Sequence, residues 1–357
     1  MRRILSMGAN PRKSIFFVRL TFFLLLGLLS TFFAEVLSGS APDFLLTGFG
    51  YYGIFPIYAL HSILLSSLLI SRRKPFTLRT LYFVSLLFGM YEAYITKVLW
   101  SPPWSPDALS FAGLAVAETL ILVLFWHAVM AFIIPLLWAE ALLTDSHLVS
   151  GLFPEKWQKR LFSTGGAIGL GIFGSFFIGS EILPAGDAFM LALFDCLAVT
   201  LALGLWRLFM RNESSLLPDL LPRKAGTLVF GALIVLDYLY IGLFLRREVH
   251  PGWIGHTAIL VLYALISLAI WLSMRKDKRT LTNEVEKEVN EMQPRLNFSH
   301  WLFFCGSFTA SALIVNLLPA EIEGLLTGLA MSSGVLAGII FLIRSLQSFF
   351  KKRQDIL

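Results

Sequence analysis

The feature that most constrains this chain is the recurrence, from Leu20 to Arg344, of apolar stretches about 20 residues long separated by short polar segments. At 1.5 Å per residue, each stretch can cross a hydrocarbon core about 30 Å thick. Lipid offers the backbone no hydrogen-bond partner, so a spanning segment must be a helix or part of a closed barrel. The apolar runs are continuous rather than alternating, which excludes barrel strands. Hydrophobic residues make up 57% of the chain and charged residues 15%, against about 25% charged in a soluble domain. The expected fold is therefore all-α, a polytopic transmembrane helix bundle.

Hydropathy places about ten spans, near residues 20–37, 49–70, 80–100, 108–131, 161–180, 187–210, 225–245, 253–273, 299–318 and 324–344. The interval from Asp107 to Leu143 is too long for one upright span, barely enough for two, and holds Pro135. Splitting it would invert every later loop. One span to about Ala131 is expected, followed by a kinked or interfacial segment through Leu143. The basic residues before Leu20 resemble the start of a signal peptide, but Glu35 sits where a cleavage site carries small neutral residues. An uncleaved first span is expected.

The net charge of +6 does not mark a nucleic-acid partner, because the cations cluster at the ends of apolar runs. Arg72, Arg73, Lys74 and Arg79, then Lys156, Lys159 and Arg160, then Arg207, Arg211, Arg223 and Lys224 all fall on one side in alternation. The segment Arg275 to Arg295 and the residues from Arg344 to Arg353 continue that side, while Arg246 and Arg247 lie opposite. By the positive-inside rule both termini are cytoplasmic, in a multi-pass protein of the cell membrane with the lipid bilayer as its partner. The tryptophans Trp100, Trp104 and Trp253 are expected at outer helix ends, and Trp206, Trp271 and Trp301 at inner ends. Residues 1–357 read as a single integral membrane domain, with an amphipathic cytoplasmic helix in the linker at about 275–297, where Leu281, Val285, Val289 and Met292 recur at helical spacing. Small residues at Gly171, Ser175 and Gly179, at Gly165 and Gly169, at Gly324, Gly328 and Ser332, and at Gly334 and Gly338 mark faces for close helix contact.

The chemistry rests on ionisable residues within spans, each costing at least about 2.5 to 3.5 kcal/mol at a helix centre. Glu92 is the first candidate. It lies in the stretch from Phe88 to Asp107, which also carries Lys97, Trp100 and three prolines. Lys97 is about 140° round the helix from Glu92 and is expected to snorkel outward. Glu118, Asp237 and His61 fall at similar depth, and Asp195 lies nearer the outer surface. Together these five are candidates for binding a substrate or ion in one polar chamber, with Glu35 and His256 at its outer mouth. A converged set would suit a proton relay, a cation or a polar small molecule. Held apart, each acid would be bonded by a neighbouring Tyr, Ser, Thr or backbone group and would only fix helix register. His127 reads as a packing histidine, since it lies nine residues after Glu118 on the opposite helical face.

No metal-binding motif, nucleophile elbow, Walker loop or dinucleotide fingerprint occurs in its required context, and Cys196 and Cys305 lie inside apolar spans as packing residues. No cofactor is specified. Three functions stay open: a small secondary transporter or permease, an intramembrane enzyme acting on a lipid or other membrane-embedded substrate, and a membrane assembly or scaffold subunit whose acids pair with a partner's cations.

Overall fold

The fold was obtained as a computed structural model, which describes residues 11–70, 75–103, 107–178, 184–211, 213–281 and 295–350. Helix α1 (Pro11–Thr31) continues through one wide turn, Phe32–Val36. A similar wide turn, Gly50–Ile54, leads into α2 (Phe55–Ile70), and α3 covers Leu78–Gly89. Helix α4 runs over Val116–Leu143, α5 over Thr164–Ser175, α6 over Ala185–Phe209 and α7 over Lys224–Phe244. Helices α8 (Trp253–Leu281), α9 (Phe298–Val315) and α10 (Ala320–Phe350) complete the set. The protein is a multi-pass membrane helix bundle.

Eight of these helices are long and apolar enough to cross a membrane. The expected third and fifth spans differ. Helices α3 and α5 have 12 residues each, about 18 Å of helix, which is short of a hydrocarbon core. Helix α3 gives way to a single turn, Tyr91–Tyr94, and then to irregular chain in which Lys97 has a φ of 59°. Beyond α5, residues 179–183 lie outside the described set, and Gly179 with them.

The interval from Asp107 to Leu143 resolves as a short hairpin followed by one unbroken helix. A tight hairpin pairs β1 (Ser110–Phe111) with β2 (Leu114–Ala115), turning at Ala112 and Gly113 with φ of 50° and 79°. Helix α4 begins only after it. From Thr119 to Ile133 α4 is wound with i→i−5 hydrogen bonds, and ordinary α-helix resumes at Ile134. Pro135, which has no N–H to donate, falls where the bonding register changes and the ladder is already interrupted. No separate interfacial segment follows Ala131.

Burial separates centre from periphery. In its most apolar stretch 72% of α4 is buried, against 11% for α7 and 17% for α8 and α10, so α4 forms the axis of the bundle and those three turn most of their side chains to lipid. Helix α3 packs along α4, α1 along α2, and α5 along α9. The closest crossings use glycine: a Cβ on Gly89 would stand 2.7 Å from Val123 Cα, and one on Gly171 would stand 2.6 Å from the Phe304 carbonyl oxygen. Gly334 and Gly338 likewise press on Phe125 and Leu124, whereas Gly169, Gly324 and Gly328 face open space. Among the described residues the Gly334–Gly338 face and Gly171 make close helix contacts, whereas the Gly165–Gly169 and Gly324–Gly328 faces do not.

Polar contacts tie the two ends of the bundle. At the end rich in cations, the Arg79 guanidinium donates to Asp277 at 2.7 Å, to Ser273 Oγ at 2.7 Å and to Ser348 Oγ at 3.0 Å, joining α3, α8 and α10. At the opposite end Lys97 Nζ donates to the carbonyls of Leu245 and Arg246 at 2.8 and 2.9 Å. Lys97 is 7% exposed. Instead of snorkelling, it neutralises the negative end of α7. Trp206, near the end of α6, and Trp301, near the start of α9, are buried, Trp301 against Phe32, Phe33, Trp138 and Phe304, whereas Trp253 is 88% exposed. Trp104, Val285, Val289 and Met292 lie outside the described residues, and α8 carries the chain as helix to Leu281.

Candidate functional site

The break after α3 places Glu92 against the middle of α4. Glu92 is 5% exposed, and its Oε1 lies 3.2 Å from His127 Nε2. Its other oxygen accepts from the Thr96 hydroxyl, which also faces the Glu92 carbonyl, one turn back, at 3.2 Å. His127 lies eleven residues into α4, about 16 Å along it. The wide winding of α4 brings the Leu122 carbonyl, five residues earlier, to 3.1 Å from His127 Nδ1. A carbonyl can only accept, so Nδ1 carries a proton and Nε2 is the titrating atom.

Nε2 also receives a chain of hydroxyls from α2 and the break after α3. Tyr91 Oη is 2.8 Å from Nε2, and Tyr58 Oη is 2.6 Å from Tyr91 Oη. Tyr58 also bonds Glu35 Oε1, and the other Glu35 oxygen accepts from Ser40, which is exposed. The wide turn ending α1 sets Glu35 there, with the Ala34 carbonyl held by Trp126 Nε1 at 2.9 Å. The polar chain thus runs from exposed Ser40 through Glu35, Tyr58 and Tyr91 to His127 and Glu92.

Proton counting restricts the states of this chain. Three contacts, Glu35 to Tyr58, Tyr58 to Tyr91 and Tyr91 to His127, each need one proton. The two hydroxyls supply two. The third resides either on Glu35, with every bond pointing toward His127, or on His127 as imidazolium, with every bond reversed and Glu35 ionised. The two arrangements differ by moving one proton from one end of the chain to the other.

Of the other candidates, His61 stands beside this chain. Its ring lies 5.6 Å from that of Tyr91 and 5.2 Å from that of Phe88; Nδ1 faces the Ile57 carbonyl at 2.6 Å, and Tyr238 Oη lies 3.3 Å from Nε2. His256 is half-buried near the opposite end, its ring facing Tyr94 and Trp100. Glu118, Asp195 and Asp237 are not brought together with Glu92: no hydrogen bond or ion pair among the described residues joins them to it. Glu118 Oε2, both Asp195 oxygens and Asp237 Oδ2 are buried without a hydrogen-bond partner. Among the described residues no hydrogen bond or ion pair joins the five into one chamber: Asp195 is on α6, and Asp237 is on α7, which packs against α2 and lines a separate groove there. Glu140 also has a structural role, accepting the backbone N–H groups of Val149 and Ser150 at 2.9 and 2.8 Å.

In the sequence His127 reads as a packing histidine, and Tyr58 carries no signal of its own. The α-helical angle separates His127 from Glu118, but its partners Glu92 and Tyr91 lie on the turn after α3. The signals were its own buried position in an apolar helix and the nearby Tyr91.

Fold and site define a polytopic helix bundle that carries a buried carboxylate–tyrosine–histidine chain. Residues 24–353 match an uncharacterized membrane protein family, and the chain belongs to it. It is 31% identical over 328 residues to an uncharacterized protein of Archaeoglobus fulgidus, covering 90% of this chain and 99% of that one. No solved structure matches.

Proposed function

We propose that the protein is a small secondary transporter in which the Glu92–His127 pair couples proton movement to passage of a polar or cationic solute. The observation that carries this is the meeting of Glu92 and His127 at the break after α3, at the inner end of a hydrogen-bonded chain that begins at exposed Ser40. Interrupted helices are a recurrent way of building transport sites, since their free backbone groups and charged side chains then face a cavity rather than lipid.

The cycle follows from the proton count. A proton taken up at Glu35 is passed as Glu35 to Tyr58, Tyr58 to Tyr91 and Tyr91 to His127, leaving imidazolium beside Glu92. That charge offsets the Glu92 carboxylate and releases a cationic solute held there; loss of the proton restores the anion. The segment carrying Glu92 is tethered at both ends, by Arg79 to Asp277 before it and by Lys97 to the Leu245 and Arg246 carbonyls after it. Opening one tether while the other holds supplies the alternation of access.

The test is uptake into proteoliposomes under an imposed pH gradient, with a panel of labelled amino acids, amines and monovalent cations. Accumulation that needs the gradient and disappears in Glu92→Gln supports transport. Absence of gradient-driven uptake across the panel speaks against it. A second reading, an intramembrane enzyme, draws on the lateral groove that contains Asp237, beside the Tyr238–His61 contact. Turnover of a lipid added to the same liposomes distinguishes it.

A further inference from the structure

The outer faces of α1, α2 and α7 enclose a groove of about 460 Å³ that opens sideways to lipid, within the range of small-molecule pockets. Its walls are apolar, with Phe23 from α1, Pro56 and Ile63 from α2, and Leu233 from α7, and its floor closes where Gly27 and Ala59 touch. One acid lines it. Asp237 is 9% exposed, and its Oδ2 is buried with no hydrogen-bond partner. A buried acceptor left unsatisfied is costly, and nothing among the described residues relieves it.

The groove itself states what would. Asp237 lies seven residues from the end of α7, about 10 Å inside that face of the bundle, too deep for a phospholipid phosphate, which the carboxyl would also repel. An ammonium would have to leave water for a site with a single counter-charge and otherwise apolar walls, where desolvation outweighs the pairing. A hydroxyl gives the missing donor without a charge. We propose that this groove binds a single-chain membrane amphiphile headed by a hydroxyl, which donates to the Asp237 carboxylate while the chain lies between α1, α2 and α7. The proposal does not rest on transport, because the groove faces lipid and shares no hydrogen bond with the Glu35-to-Glu92 chain.

Full-length protein in liposomes is photolabelled with a diazirine-bearing hexadecanol, and labelled peptides are located by mass spectrometry. Label is expected on α1, α2 and α7, falling about five-fold or more in Asp237→Leu, the scale of one lost hydrogen bond, and falling likewise in Leu233→Trp, which fills the groove. The methyl ether of the same probe, which cannot donate, and the matching fatty acid are expected to label these peptides weakly. Thermal unfolding and circular dichroism confirm that both variants are folded; Asp237→Asn replaces either if it is not, and weaker hexadecanol labelling is expected there too. Label spread evenly over α8 and α10, equal labelling by the methyl ether, unchanged labelling in the variants, or labelling by hexadecylamine but not the alcohol each overturns the proposal.

Discussion

Glu92 and His127 meet at 3.2 Å although they come from different helices, one from a broken segment and the other from a helix wound wider than normal. Two departures from regular α-helix create that contact. Ending α3 at Gly89 releases Glu92 from helical register, and the wide winding of α4 turns the His127 ring onto the Leu122 carbonyl.

Tyr91→Phe and Tyr58→Phe each remove one hydroxyl from the chain to Glu35. Gradient-driven uptake is expected to fall by about 100-fold or more, the lower range for losing a positioned proton carrier. Folding is expected to survive, since each change deletes one oxygen from a packed ring. Uptake assays paired with thermal unfolding check both statements; unchanged uptake would remove the tyrosines from the path.

The Arg79–Asp277 pair is buried, with side chains 9% and 2% exposed. Asp277→Leu leaves the guanidinium without its counter-charge and is expected to destabilise the protein by about 3 to 5 kcal/mol, whereas Arg79→Leu with Asp277→Leu costs markedly less than the sum of the two single changes. A double-mutant cycle on unfolding in mild detergent reads the difference. Additive effects would mean that the tether does not hold the pair as a unit.

Gly89→Ala places a methyl 2.7 Å from Val123 Cα, where the backbone must move, and is expected to cost about 1 to 3 kcal/mol. Gly169→Ala meets nothing within 4 Å and is expected to stabilise by up to about 1 kcal/mol through helix propensity. Melting of the two variants side by side tests whether α3 and α4 cross as closely as described.

Lys97→Met removes both bonds to the Leu245 and Arg246 carbonyls. Faster proteolytic cleavage between residues 245 and 252 is expected, with little change in cleavage elsewhere. Wild-type cleavage rates would show that Lys97 does not hold this end.

Much of the architecture was legible in the residues because apolar length and charge clustering report directly on spanning helices. What could not be read is where a helix stops early or winds differently. In FGMYEAYITKVLW no proline interrupts the run and Gly89 alone is a weak stop signal; in the structure the segment beyond it meets α4 at Glu92 and α7 at Lys97. Likewise the expectation of a kink at Pro135 assumed regular winding on both sides. Glu92 stood out as an acid in an apolar run, whereas His127 and Tyr58 are ordinary residues until helices from distant parts of the chain bring them together.

The central claim is that the chain from Glu35 to His127 carries a movable proton. It is tested most directly by solid-state NMR of protein labelled with nitrogen-15 histidine and carbon-13 glutamate in bilayers, followed as pH is lowered. As the chain takes up its third proton, His127 is expected to pass from the neutral form protonated at Nδ1 to imidazolium with the Glu35 carboxyl ionised throughout, and Tyr91→Phe is expected to abolish that protonation. A His127 that stays neutral throughout the pH range in which the protein remains folded, or that titrates identically in Tyr91→Phe, would contradict it.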